Sequence, residues 1–407
     1  MKSGMQDVFS LGLSGIKIEN IQETHGSLEI SIENNTPAGI CPDCGVVSGK
    51  VNDTRYHRVI DRPVFHQTMS IRVKKRRFKC INEECGSKTF TEVIDGLKSK
   101  CFYTELFQDF SHSFTSGMTY TDTKRHLEKS YGYKVGLTTI YTWSQKRIKN
   151  ETPPQIPQKA RFIGLDEFSK GKDHDYAVVL TNLETRKIIN LGDGGKTKKA
   201  AKKLLHKTVK LNNVAACVID MWRPFKMAAV ENLPNALVIV DKFHVIKKAN
   251  EALDNVRKRV QRQTEDENYK KQLKKYKELP RMGCERLSEK QELRLWQLLE
   301  LNHELRQAYE LKELLRDIYD QDAQKKARIQ LNNWIREGFK TSIPELIELA
   351  KTLNNWREEI LNYWRFRLTN AITEGKVNKI KTIKRKAYNY NNFESLRLKV
   401  LEAERQD

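Results

Sequence analysis

The sequence predicts three kinds of structure in succession: a small metal-stapled β module, a group of three short helices, and a mixed α/β core interrupted by a long all-helical stretch. Three observations predict it. Four of the seven cysteines stand in two close pairs, Cys41/Cys44 and Cys80/Cys85. The hydrophobic period turns helical between about residues 102 and 150. Beyond that, short apolar runs rich in β-branched residues each stop on an aspartate: Arg161 to Asp166, Val214 to Asp220 and Ala236 to Asp241. Such runs suit strands buried on both faces, and ligands gather beyond the carboxyl ends of strands in open α/β sheets.

Composition narrows the function. Among 407 residues, 74 Lys and Arg stand against 52 Asp and Glu, a formal charge of +22. That excess points to a polyanionic partner, since many phosphate contacts need many cations. The longest apolar stretches run to about six residues, far short of the roughly 18 that suggest a membrane span. No signal peptide is expected, and an odd cysteine count with paired spacing suits metal ligands and free thiols in a reducing cytoplasm.

Residues 1–37 carry two alternating segments, Ile16 to Ile18 and Leu28 to Ile32, around His25-Gly26, and read as a β-hairpin extension. In 38–98 the Cys-Pro-Asp-Cys-Gly and Cys-Ile-Asn-Glu-Glu-Cys-Gly knuckles predict a zinc ribbon in which four thiolates close a tetrahedral site. His57 and His66 lie between the knuckles and are alternative ligands. Six of the eight residues from Arg72 to Lys79 are basic, and Arg72, Lys74, Lys75, Arg76 and Arg77 are candidate phosphate contacts.

In 99–150, Leu106, Phe107, Phe110 and Phe114 fit one helix face, Thr121 to Tyr131 a second helix and Leu137 to Ile148 a third. This predicts a helix-turn-helix, with Thr138, Thr139, Tyr141 and Thr142 facing bases and Lys146 and Arg147 facing phosphates. A proline-rich linker, 151–160, follows.

The core begins at 161. Arg161 to Asp166, Tyr176 to Asn182 and Lys187 to Leu191 read as an antiparallel meander, the first turn carrying Asp173-His174-Asp175; Lys196 to Leu211 reads as a helix. A strand, a short helix over Arg223 to Asn232 and a last strand complete the order of an RNase H-like fold, ending at 245. Glu167, next to Asp166, should point to the opposite sheet face and be structural.

From 246 to 361 the pattern is helical, with capping boxes at Ser288 to Gln291 and Ser342 to Glu345. Its Trp296, Trp334 and Trp356 suit packing. The final part, 362–407, holds eight Lys or Arg and the single acid Glu374 between Arg365 and Lys386. Glu374 shares a helix face with Asn370 and Asn378, roughly opposite Ile372, Ile380 and Ile383, so the helix should pack by its isoleucines and present the acid and both amides elsewhere.

With Cys-Pro-Asp-Cys-Gly at 41–45, Gly-Leu-Asp-Glu-Phe at 164–168, Asp-Met-Trp-Arg-Pro-Phe at 220–225, Asp-Lys-Phe-His-Val at 241–245 and Asn-Ala-Ile-Thr-Glu-Gly-Lys-Val-Asn-Lys-Ile-Lys at 370–381, the chain resembles bacterial insertion-sequence transposases of the ISL3 family. The resemblance implies a DDE core with Asp166, Asp220 and Glu374 as the triad, and recognition of terminal inverted repeats by the ribbon and helix-turn-helix. Phosphodiester transfer of this kind uses two Mg²⁺, with Mn²⁺ as a substitute, about 4 Å apart. Asp241, His244 and Asn378 are secondary candidates, and Lys381, Lys384 and Arg385 would lie on DNA. The expected partners are double-stranded transposon-end and target DNA and a second copy of the chain; no membrane is expected. The expected setting is the bacterial cytoplasm, with the DNA-bound protein on the nucleoid. A zinc-ribbon transcription regulator and a structure-specific nuclease are the alternatives.

Overall fold

The computed structural model describes residues 13, 15–95, 97, 101–151, 157–171, 175–387, 390 and 392–406. Outside them fall half of the proline-rich linker (152–156) and, in the first meander turn, Asp173 and His174. The chain divides into two compact units, Met1–Thr152 and Pro153–Asp407. No helix is long and apolar enough to cross a membrane.

In the first unit, β1 (Ile16–Thr24) and β2 (Ser27–Asn34) form the expected hairpin. It does not stand apart. β2 pairs in parallel with β6 (Gln67–Lys79), which pairs with β5 (Val51–Val64), giving the order β1-β2-β6-β5. The short strands β3 (Gly39–Ile40) and β4 (Val47–Ser48) carry the first knuckle, and β7 (Thr89–Thr91) pairs with β6 beyond the second. Strict alternation explains the register: Leu28, Ile30 and Ile32 on β2 bury against Val59, Met69, Ile71 and Val73. A one-residue slip would turn that whole set to water.

Three helices follow, α1 (Glu105–Thr115), α2 (Tyr120–Tyr131) and α3 (Leu137–Glu151). Thr104 and Thr119 cap the first two with side-chain oxygens that accept from Phe107 and Asp122 N–H, each such cap contributing roughly 1 kcal/mol. Phe107, Leu127, Tyr133, Val135 and Ile140 form their core. The bundle is tied to the sheet: the buried Tyr133 hydroxyl donates to the Asp61 carbonyl (2.9 Å) and accepts from Met69 N–H (2.8 Å).

The second unit is mixed α/β with a helical C-terminal region. Its sheet has the order β10-β9-β8-β11-β12. β8 (Phe162–Ser169), β9 (Tyr176–Asn182) and β10 (Lys187–Gly192) are antiparallel neighbours, whereas β11 (Ala216–Ile219) and β12 (Leu237–Val240) run parallel to β8. Helices α4 (Lys198–Thr208) and α5 (Arg223–Asn232) cover one face through Leu204, Leu205, Phe225 and Ala229.

Between β12 and the opposite face run α6 (Lys242–Gln263), α7 (Glu267–Lys275), α8 (Glu289–Glu300), α9 (His303–Ile318), α10 (Gln324–Lys340), α11 (Pro344–Asn355), α12 (Arg357–Leu361) and α13 (Tyr363–Phe366). Leu253, Val256, Leu305, Leu315, Leu331 and Leu353 are among their shared core. The tryptophans pack there: Trp334 is buried and donates to the Leu311 carbonyl (2.6 Å). Ser288 and Gln291 form the expected capping box. Ser342 and Glu345 do not. Pro344 occupies the first helical turn, so the cap falls at Ile343, and Glu345 pairs with Arg259 instead (2.9 Å).

The other sheet face is closed by α14 (Ala371–Lys386) and α15 (Phe393–Gln406), through Val377, Ile380, Leu396 and Val400 against Phe168, Val179 and Leu191. On α15, the buried Glu404 accepts from Ile188 N–H (2.9 Å) and pairs with Lys376 and Lys379. Those two cations of the basic segment therefore hold helix to sheet.

Candidate active site and metal centre

Asp166 lies on β8 between Gly164 and Phe168, on the face that α14 covers. Asp220 and Asp241 each follow by two residues an inward-packed residue of the same face, Val218 and Ile239. Period two therefore brings Asp166, Asp220 and Asp241 to one face at one end of the parallel strands. The contact with α14 is close because Gly164 has no side chain. A Cβ there would stand 2.1 Å from Thr373 Oγ1 and 2.6 Å from Asn370 Oδ1. Thr373 and Thr181 share a hydrogen bond (2.6 Å) over this point.

One ligand oxygen from each of Asp166, Glu167 and Asp220 lies within 4.8 Å of the others. The Glu167 expectation is thus corrected. Its side chain does fall on the α4 side, where Lys196 approaches it (3.4 Å). But β11 ends at Ile219, opposite Leu165, and past that point the neighbouring strand no longer separates the two faces. Asp166 is 8 % exposed. Burial first, and then the negative charge of Asp220, push its carboxyl up to about 7, with Glu167 adding to the rise.

His244, in the first turn of α6, bridges the other two acids: Nε2 stands 2.9 Å from Asp220 Oδ2, and Nδ1 stands 3.2 Å from Asp241 Oδ2. Burial opposes its charge, but hydrogen bonds to Asp220 and Asp241 outweigh burial and raise it to about 10. Asp241 Oδ1 in turn accepts from Asn370 N–H (2.9 Å). Asp220 and Asp241 therefore belong to one hydrogen-bonded network.

Glu374 sits in the first turn of α14 but is exposed, outside the close carboxylate cluster. It lines a groove of about 1060 Å³ with Asp241, Lys242, Phe243, Arg281 and Arg316. Asn370 departs from the expected orientation, which otherwise holds for α14: Ile372, Ile380 and Ile383 pack inward and Glu374 faces out. The buried ridge of the helix is Asn370, Thr373, Val377 and Ile380, while Asn378 is exposed. Asn370 is 1 % exposed, and neither its Oδ1 nor its Nδ2 has a hydrogen-bond partner among the described residues. Sequence reasoning put this amide on the outer face; the signal available was its place just before Ala371, at the helix start.

The buried carboxylate oxygens Asp220 Oδ1 and Glu167 Oε2 also lack partners among the described residues. Unpaired acceptors beside a carboxylate of raised pKa are what a hard divalent cation would satisfy, so the residues fit Mg²⁺.

The cysteines form a second centre. Cys41 and Cys85 sulfurs stand 3.9 Å apart and those of Cys44 and Cys80 3.6 Å, and all four lie within 4.8 Å of one another. Four sulfurs at roughly 2.3 Å from a tetrahedral ion stand about 3.8 Å apart, so the cage fits zinc. Gly45 at φ 73° lets the first knuckle turn back. His57 and His66 take no part: His57 contacts the Cys101 carbonyl, and His66 is in the β5–β6 turn. Chelating zinc should loosen the knuckle strands β3, β4 and β7 and spare the second unit. Hydrogen exchange should then rise around 39–48 and 80–91 only; exchange rising across β8 to β12 would contradict this.

Two family profiles match the chain. A profile for transposases of the ISL3 DDE type matches residues 163–400. The chain belongs to this transposase family. A second profile, the zinc-finger of transposase IS204/IS1001/IS1096/IS1165, matches 37–90. The chain is 26% identical over 405 residues to the transposase for insertion sequence element IS1001 of Bordetella parapertussis, covering 96% of this chain and 95% of that one. It is 25% identical over 280 residues to the transposase for insertion sequence element IS1557 of Mycobacterium tuberculosis, covering 61% and 62%. DNA transposition is therefore the function of the family to which the chain belongs.

For such a protein the basic residues are of interest, and the structure separates them. Lys74 is paired with Glu19 (2.9 Å) and Glu33 (3.0 Å), and Arg76 is held by Glu92 (2.7 Å), because β6 is a central strand with acidic neighbours. Arg72 lies over the Tyr56 ring (4.5 Å). Lys75 and Arg77 have no ion pair among the described residues. On α3, Thr138, Tyr141, Thr142 and Lys146 are exposed and Thr139 half-buried, whereas Arg147 pairs with Asp109 and Glu151. Lys384 donates to the Ser169 and Lys170 carbonyls at the end of β8, and Lys381 and Arg385 are exposed on α14.

Proposed function

We propose that this chain is a DDE transposase with an RNase H-like core that binds the terminal inverted repeats of its own element and cuts and joins DNA strands there. The observation that carries the reading is the convergence of Asp166, Asp220 and Asp241 on the face closed by the helix that bears Glu374. The strand order, with the antiparallel β8-β9-β10 meander on one side and β11 and β12 running parallel to β8 on the other, supports the fold assignment.

Asp166 and Asp220 would hold Mg²⁺, with Glu374 as the third acid reached from the first turn of α14. When bound, such ions supply Lewis-acid stabilisation of the attacking and leaving oxygens of the phosphodiester. The protein's own part is positional. His244 holds Asp220 through one oxygen and leaves Oδ1 free, and Asp241 anchors both His244 and the N-terminus of α14. Asn370 offers an unpaired amide to a water or phosphate oxygen at the same edge. Helices α1 to α3 act as a helix-turn-helix, with Thr138, Thr139, Tyr141 and Thr142 reading bases and Lys146 on the phosphates; Lys75, Arg77, Lys381 and Arg385 are the further cations free to meet DNA. A homodimer would serve two ends.

The test is cleavage and joining of labelled duplexes carrying the element's ends, with Mg²⁺ or Mn²⁺. Wild type should cut and join; Asp220→Ala and Glu374→Ala should do neither, and Asp241→Ala should retain partial activity with weakened α14 anchoring. End-specific binding without cutting in any divalent metal would instead support a regulator.

A further inference from the structure

The β5–β6 hairpin ends in a two-residue turn, Phe65-His66, closed by the Val64–Gln67 pair. Both turn residues have positive φ, 47° and 63°. A turn of this hand favours Asn-Gly, because residues with a bulky Cβ are strained there. Phe65 is also 87% exposed, so its ring recovers nothing from packing. Two unfavourable choices at one exposed tip mark a residue kept for something outside the fold.

Packing shows where the tip stands. Tyr133, in the turn between α2 and α3, bonds to Asp61 on one hairpin strand and Met69 on the other. A Cβ on the preceding Gly132 would come 3.2 Å from Thr68 Cγ2. The tip therefore projects beside the entry to α3, fixed to it through the buried Tyr133 hydroxyl. Arg62 and Lys134 flank this junction, exposed and without ion pairs among the described residues, and Glu23 accepts from Gln67 at the turn (2.7 Å).

We propose that the Phe65-His66 turn is a wing that enters the minor groove of the transposon end next to the major groove read by α3, with the Phe65 ring wedged against a base step. Apolar wedges of this kind partly unstack a step and bend the duplex, and Arg62 and Lys134 would meet the phosphates on either side. The proposal rests on the reading of α3 as the base-reading helix.

The experiment uses the full chain and end-bearing duplexes with 2-aminopurine placed in turn at each adenine of the repeat. Wild type should raise fluorescence at one step. The double variant Phe65→Asn, His66→Gly should melt at or above wild type, because the turn is relieved. It should nevertheless bind about ten-fold more weakly, near the low end of one base–aromatic stack, and give no fluorescence rise. Phe65→Trp should restore both. A turn variant that binds and unstacks like wild type overturns the wing. So does a turn variant that loses only concentration-dependent self-association, which would assign the tip to a second copy of the chain. Thr138→Ala with Tyr141→Ala separates the two readings. If that pair leaves end binding intact while the turn variant abolishes it, the α3 assignment fails and the wing stands. If no version prefers the ends, both fall.

Discussion

Asp166→Asn should abolish strand cleavage and joining, by about a thousand-fold or more, while end-specific DNA binding stays within about two-fold of wild type, since the change leaves every exposed cation in place. The same variant should stabilise the metal-free protein. Asp166 is buried beside Asp220 and Glu167, and its folded pKa of about 7 lies above the ordinary value of 3.8. A raised folded pKa means that the native state binds the proton more tightly. The cost of ionising the group in the fold is absent well below the unfolded pKa of 3.8, grows as pH rises through the interval, and is complete above about pH 7. At pH 8 this amounts to a few kcal/mol at most, on the order of 1.4 kcal/mol for each ten-fold gain in proton affinity. Metal-free Asp166→Asn should therefore melt above wild type at pH 8, with the gap closing towards pH 4. Mg²⁺ should raise the melting temperature of wild type and leave the variant nearly unmoved. Equal Mg²⁺ response in both proteins would remove Asp166 from the metal site.

Gly164→Ala should be the most damaging conservative change in the second unit. The added methyl would stand 2.1 Å from Thr373 Oγ1, 2.6 Å from Asn370 Oδ1 and 2.8 Å from Thr181 Oγ1. All three belong to the contact that seats α14, so the helix must shift outward and take Glu374 and Asn370 with it. Overpacking of this kind costs about 1–3 kcal/mol, or a fall of several degrees in melting temperature for a unit of this size. Cleavage should fall further than stability, by about a hundred-fold, because misplacing catalytic groups by about 1 Å has that effect. Thr373→Ala removes the closest clash and should restore part of both in the double variant. Unchanged cleavage in Gly164→Ala would show that the α14 seat is not what positions the acids.

Parts of this site were legible in one dimension. The zinc cage was, because a knuckle is local: two cysteines three to five positions apart and a following glycine fix most of its geometry. The strand-end acids were too, because a short apolar run followed by Asp marks where a buried strand leaves the sheet. The role of Lys74 and Arg76 was not legible. Their run reads as a phosphate-binding stripe, but the acids that neutralise them, Glu19, Glu33 and Glu92, come from segments distant in sequence.

The α14 segment shows the same boundary. A single acid among eight cations was visible, as was helical period, but period alone does not say which face meets the sheet. The isoleucines marked the packed face, but they did not show that Gly164 leaves a gap that draws Asn370 and Thr373 inward beside them.

The sequence by itself determined the two cysteine knuckles, the strands that deliver Asp166, Asp220 and Asp241, and the helix that carries Glu374, since each depends on residue spacing within one element. Only the tertiary structure decided that Glu167 reaches the same cluster, that His244 links two of the acids, and that Asn370 is buried with its amide unpaired. Those depend on where β11 stops beside β8 and how closely α14 approaches Gly164. Both are set by contacts between segments up to about 200 residues apart, for which no local pattern exists.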